Sequence, residues 1–132
     1  MKLLQRLFRW LYAAWFLFWG ASSLTMRLWG VGVETPKSEG EAQALMDIVN
    51  ASFMGPVSAV GFVAGGLLMI RDRTSPLGIA ILAPFVTYIF FYHLLLSGDV
   101  VWGSLWAAGW MLLAWWHRDA FRPLVGLDRQ AA

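Results

Sequence analysis

Four long apolar runs set the terms on which this chain can fold. They cover Trp10–Met26, Ile48–Ile70, Leu77–Leu96 and Val100–Trp116, and almost no charge interrupts them. A helix that crosses a bilayer needs about 20 mostly apolar residues. At about 1.5 Å per residue even the shortest of these runs reaches about 25 Å, and flanking Trp and Arg side chains can supply the rest. The chain is 59% hydrophobic and 14% charged, against about 25% charged for an average soluble domain. That balance argues against a soluble enzyme and against a nucleic-acid partner. The sequence therefore predicts an all-α fold, an integral membrane bundle of four transmembrane helices in a single domain over residues 1–125. The spans fall at about 8–29, 44–70, 76–96 and 99–117, followed by a short tail at 126–132.

The charge excess is only +2, so its placement carries more information than its size. Lys2, Arg6 and Arg9 precede the first span, Arg71 and Arg73 separate the second and third, and Arg118, Arg122 and Arg129 follow the fourth. The Arg27–Asp47 segment on the other side holds Glu34, Glu39, Glu41 and Asp47 against Arg27 and Lys37. The positive-inside rule then places both termini in the cytoplasm. The first span, with its basic start and Ala21-Ser22-Ser23, also has the outline of a signal peptide. It is expected to be retained, because its loss leaves three helices with termini on opposite sides.

Local signals agree. Ser38-Glu39-Gly40-Glu41 has the form of a capping box before the second helix. Pro76 suits the first turn of the third helix, whereas Pro56 and Pro84 fall inside spans and are expected to kink them.

Candidate chemistry is sparse. The chain has no Cys, which removes thiol redox chemistry, Cys-ligated zinc, iron–sulfur clusters and thioether-linked haem. No HExxH, Walker loop or nucleophile elbow is present, and no acidic residue sits at midspan to couple ions. His93 is the sharpest candidate, because an ionisable residue inside a span is a functional hypothesis by default; the competing reading is a neutral ring bonded to a neighbouring helix. His117, the other histidine, lies at the opposite end about 30 Å away by helix rise. A haem would need a ligand from another chain. Asn50 and Asp47 share a helix face near the level of His93, and Tyr88 and Tyr92 stand one turn apart. Together His93, Tyr88, Tyr92 and Asn50 outline a polar pocket where a quinone head could dock; the alternative is helix–helix bonding for packing.

Three further features have structural readings. Trp102, Trp106 and Trp110 recur every four residues on one face of the fourth helix, a stripe for a partner, a planar cofactor, or ordinary packing. Gly61-x-x-x-Gly65 lets helix backbones approach closely, within the bundle or at a homodimer seam. Arg27 is expected to snorkel outward and pair with a loop carboxylate such as Glu34 or Glu41.

Several segments resemble the small bacterial DoxX-like membrane proteins. They are Arg73-Thr74-Ser75-Pro76-Leu77-Gly78, Ile81-Leu82-Ala83-Pro84, Phe91-Tyr92-His93-Leu94-Leu95-Leu96 and Leu113-Ala114-Trp115-Trp116-His117-Arg118-Asp119-Ala120-Phe121-Arg122-Pro123-Leu124. Glu41-Ala42, Ala44-Leu45-Met46, Gly55-Pro56 and Gly65-Gly66-Leu67-Leu68 fit the same pattern upstream. Tyr88 stands where that family often carries Asn. The resemblance implies a multi-pass protein of the bacterial cytoplasmic membrane. It also implies association with membrane quinone-linked redox complexes and oxidative-stress complexes, while the absence of a catalytic motif is read from the sequence itself. The functional expectation is thus an auxiliary, non-catalytic subunit of a membrane redox complex, with the lipid bilayer and other membrane subunits or a homo-oligomer as partners. The alternatives are a module that binds lipid or another apolar small molecule, and a structural assembly factor docking through its Trp-rich face.

Overall fold

The computed structural model describes residues 2–126, and among them the chain is helical with no strand. Helix α1 runs Lys2–Trp29, α2 Gly40–Ala51, α3 Met54–Met69, α4 Ser75–Tyr92, α5 Val100–Trp116 and α6 Arg118–Phe121. A π-helical turn, His93–Ser97, extends α4, and a 3-10 turn, Arg122–Val125, follows α6. The tail expected beyond Gly126, with Arg129, lies outside the described residues.

The second apolar run does not form one helix. Helices α2 and α3 meet at 82° across Ser52 and Phe53. Pro56 has no N–H to donate to the Ser52 carbonyl, and its ring crowds that carbonyl. Ser52 consequently turns extended, at φ −97° and ψ 178°, and its hydroxyl receives the Met54 N–H at 3.2 Å to restart the helix. Where a kink was expected, the chain breaks: α2 lies across the end of the bundle and α3 alone runs along it. Pro84 has a milder outcome, since α4 continues through it uninterrupted. The capping box also differs from expectation. Glu39 occupies the N-cap without a side-chain bond. Gln43 Oε1 accepts the Ser38 N–H at 2.9 Å instead, which frees the Ser38 hydroxyl for another partner.

Small residues draw α1, α3 and α4 together. A Cβ at Gly20 would lie 2.9 Å from the Ala59 carbonyl oxygen, and one at Gly66 would lie 3.1 Å from that of Ala13. Gly61 faces the Phe85 ring, and Gly65 sits against Leu82, 2.6 Å from a would-be Cβ. The Gly61/Gly65 pair therefore packs α3 on α4. Phe16, Met69, Ile79, Leu82 and Leu113 fill the centre, where close van der Waals packing holds the helices together.

Helix α5 meets α1 largely through rings, with Gly109 making room for Tyr12 and Phe8. Trp106 stacks on Trp15 with centroids 4.7 Å apart and stands edge-on to Phe16 at 5.7 Å. The Tyr12 hydroxyl donates to the Trp106 carbonyl at 2.9 Å, and Trp102 packs edge-on to Trp15 at 5.5 Å. Trp110 turns the other way, donating its indole N–H to the Ile79 carbonyl of α4 at 2.8 Å. Of the readings open for the stripe, Trp106 and Trp110 are thus used in packing against neighbouring helices, while Trp102 keeps an exposed face. The reason is geometric: a face with three indoles is wide enough to span two neighbouring helices at once.

Much of the remaining apolar surface stays exposed, including Leu11, Phe18, Val60, Leu67, Leu105 and Met111. The helix Ser75–Ser97 is long and apolar enough to cross a membrane, and only 17% of its most apolar window is buried. The core helix of a soluble protein would be mostly covered. The α2–α3 pair passes the same test only if counted as one bent span, and α5 is apolar but shorter.

Candidate functional site

The end of the bundle where α4 turns into α5 brings His93, Ser97, Tyr88 and Tyr92 close together. Gly98, at φ 74°, ends the π turn in the left-handed region that suits glycine. The Ser97 hydroxyl accepts the Asp99 N–H at 3.3 Å and lies 2.8 Å from His93 Nδ1. In the tautomer in which Ser97 donates to Nδ1, the neutral ring carries its proton on Nε2. Nε2 makes no hydrogen bond among the described residues. Gly103 of α5 leaves room for this arrangement, because a Cβ there would come within 2.7 Å of His93 Cβ.

Two tyrosines extend the site toward α2. The Tyr92 ring stands edge-on to His93, centroids 5.1 Å apart, and its hydroxyl shares a 2.7 Å hydrogen bond with the hydroxyl that Ser38 has free. Tyr88 stacks on Tyr92 at 6.3 Å and points its hydroxyl at the Met46 sulfur, 3.8 Å away. His93, Tyr92 and Tyr88 therefore form one cluster roofed by α2. Single π turns recur at functional sites because they turn backbone carbonyls and side chains out of helical register.

Asn50 does not join them. It is exposed on α2, where its backbone carbonyl accepts a 3.1 Å hydrogen bond from Arg27. Asp47 accepts from Gln43 at 2.8 Å and does not reach His93. The expectation that Asn50 belongs to the pocket is corrected by the break at Ser52, which swings α2 out of line with α3. Arg27 likewise bonds the Asn50 carbonyl and fills the space beside Gly55, not a loop carboxylate. Ser38, Ser97 and Met46 complete the cluster; the sequence marked Ser38 only as a helix cap, and nothing in it placed any of the three beside His93.

The opposite, basic end holds a second constellation. Arg9 is 4% exposed and pairs with Asp72 in the turn between α3 and α4; Arg6 reaches the same carboxylate at 3.5 Å. The hydrogen bond from Arg9, with the nearby charges of Arg9 and Arg6, holds the Asp72 carboxyl below the usual carboxylate range. His117 closes this end, donating from Nδ1 to the Leu113 carbonyl at 2.9 Å. The two histidines stand at opposite ends of α5, so a single chain cannot offer both to one iron. No group of three metal-ligating side chains occurs among the described residues. Comparison with protein-family models, with curated proteins and with solved structures gives no match.

Proposed function

We propose that the chain is a DoxX-like integral membrane protein that crosses the bacterial cytoplasmic membrane four times with both termini inside. In this reading it serves as a non-catalytic, auxiliary subunit of a quinone-linked redox complex. The spans are α1, α3, α4 with its π turn, and α5, while α2 lies along the outer surface. Lys2, Arg6, Arg9, Arg71, Arg73, Arg118 and Arg122 collect at the end this reading calls cytoplasmic, and the exposed apolar side chains face lipid.

The observation that carries the functional part is the free Nε2 of His93, held in a π turn between the Tyr92 ring and Gly103. One N–H donor beside two aromatic planes suits a quinone carbonyl and its ring. A bound quinone would supply the redox chemistry; His93 would orient it and Tyr92 and Tyr88 would flank it. The test is purification of the full chain in mild detergent, followed by extraction and chromatographic measurement of quinone. Close to one quinone per chain is expected, lost in His93→Ala and retained in Asn50→Ala. Native protein carrying no more quinone than an unrelated membrane protein prepared alongside it would refute the reading.

One observation favours a second reading, a module that holds an apolar chain without redox chemistry. Ala80, Ala83, Trp110, Ala114 and Phe121 line an almost wholly apolar groove of about 410 Å³ between α4 and α5. The same extraction separates the two, because a lipid in place of quinone supports this one.

A further inference from the structure

The basic end contains a cleft that the redox reading does not use. It has a volume of about 300 Å³ and is lined by Lys2, Gln5, Arg6, Arg9, Asp72, Trp116 and His117. Its positive charge exceeds its negative charge, with three permanent cations against the single Asp72 carboxylate. Lys2 and Gln5 belong to the first turns of α1, which contain no acidic residue and whose unpaired N–H groups add partial positive charge.

Arg9 is the informative member. Burying a guanidinium is costly unless all its donors are satisfied. Nη1 bonds Asp72 and Nη2 reaches the Ile70 carbonyl at 3.5 Å, the limit of a hydrogen bond. Nε has no acceptor in the protein. The Ile70 carbonyl is in addition shared with the Trp10 indole N–H at 3.0 Å. Asp72, the one anion serving this group, is 61% exposed and divides its two oxygens between Arg9 and Arg6. The cleft therefore holds a buried cation with incomplete satisfaction and two exposed cations at its rim, beside His117 and the ring of Trp116.

We propose that this cleft binds a phosphate ester. Arginine and lysine around a tetrahedral anion match its geometry and charge, and basic pockets at the cytoplasmic ends of spans suit anionic headgroups. The phosphate comes from an anionic lipid headgroup or from a soluble phosphate compound. Asp72 competes with it for Arg9. The site rests on these side chains and stands whether or not a quinone binds at the other end.

The test uses the full chain in a non-ionic detergent and follows its melting temperature. The probes are dioctanoyl phosphatidylglycerol, dioctanoyl phosphatidylcholine, inorganic phosphate, and chloride at matched ionic strength. Binding to the folded state raises the midpoint with ligand concentration. Phosphatidylglycerol is expected to act where phosphatidylcholine does not if the source is a lipid; inorganic phosphate acting beyond chloride identifies a soluble source. The double variant Lys2→Gln/Arg6→Gln alters only exposed side chains. With two surface cations lost, it weakens binding about 30-fold. Asp72→Asn withdraws the competing carboxylate and tightens binding, an effect that a merely structural ion pair would not produce. Equal responses to the two lipids with phosphate no better than chloride would overturn the site. So would native affinity in the double variant, or weakened binding in Asp72→Asn.

Discussion

The two ends of this bundle are held by different physics. At the basic end a buried arginine, a shared carboxylate and close backbone approaches lock α1, α3 and α4 against one another. At the other end neutral hydroxyls and rings link α2, α4 and the π turn, one hydrogen bond at a time. Charge pairing and backbone contact leave little room to adjust, since packed cores respond to a single methyl group. A cluster of neutral bonds at a helix end is cheaper to open. The contrast assigns rigidity to the end with the buried ion pair and adaptability to the end with the candidate quinone cluster.

The most severe way to probe this contrast is to add one methyl group at each end. A Cβ at Gly78, near the start of α4, would lie 2.6 Å from the Gly65 carbonyl oxygen and 3.0 Å from the Met69 nitrogen. Both are backbone atoms in packed helices, so Gly78→Ala forces the helices apart at a cost of about 3 kcal/mol. A Cβ at Gly103 would meet His93 Cβ at 2.7 Å and the Phe90 carbonyl at 3.3 Å, atoms in and next to the π turn. That turn can yield, and replacing a helical glycine by alanine returns about 0.5–1 kcal/mol. Gly103→Ala is therefore expected to melt within a few degrees of the native chain in mild detergent, and Gly78→Ala far below it. Equal losses would show that the π turn is as rigid as the α3–α4 contact.

A gentler probe acts on the ion pair. Asp72→Asn leaves Arg9 buried with a neutral partner; because the carboxylate is largely exposed, solvent screening reduces the loss to about 1 kcal/mol. The sign with pH follows from the direction of the shift. The carboxyl is held below its usual value near about 3.9, so its contribution is complete above that value. It declines as the pH falls further and is gone below the folded-state value. The native chain should thus exceed Asp72→Asn by a constant margin from pH 5 to 8, and the margin should shrink below about pH 4. A margin that instead grows on acidification would mean that Asp72 is not the stabilising anion at this end.

These features differed in how visible they were beforehand. Helical character was legible because uninterrupted apolar runs leave few other ways to satisfy a backbone. The spacing of Gly61 and Gly65 made a close helix approach legible, but not whether its partner was α4 or a second copy of the chain. The break at Ser52 was legible only as a kink, because Pro56 announces a lost hydrogen bond but not the direction in which the chain leaves. That direction removed Asn50 from the candidate site. The Trp stripe was visible as a periodicity, yet periodicity does not say whether a face meets a neighbour or solvent. Asp72 drew no notice, since one acid between Arg71 and Arg73 reads as a solvated turn; only the fold brings Arg9, 63 residues away, onto it. His93 and its tyrosines were legible from their spacing, whereas Ser38 arrives from a loop more than 50 residues earlier in the chain.

The smallest effect is expected where the neutral end is fastened to its loop. The segment between α1 and α2 is exposed along most of its length and tied at two places. The Val33 N–H donates to the Ser22 hydroxyl at 2.6 Å, and Ser38 meets Tyr92 at 2.7 Å. Tyr92→Phe removes the second tie while keeping the ring against His93 and Tyr88. One partly exposed hydrogen bond is worth about 0.5–1 kcal/mol, too little to move the global melting point clearly. It is enough to raise amide hydrogen exchange about two- to five-fold in residues 34–46 if they open locally. Exchange in the α3–α4 turn around Asp72 should not change. Ser38→Ala should reproduce the pattern, because it removes the same bond from the other side. If exchange rises equally at both ends, the bundle opens as one cooperative unit, and the separation of a rigid end from an adaptable one fails.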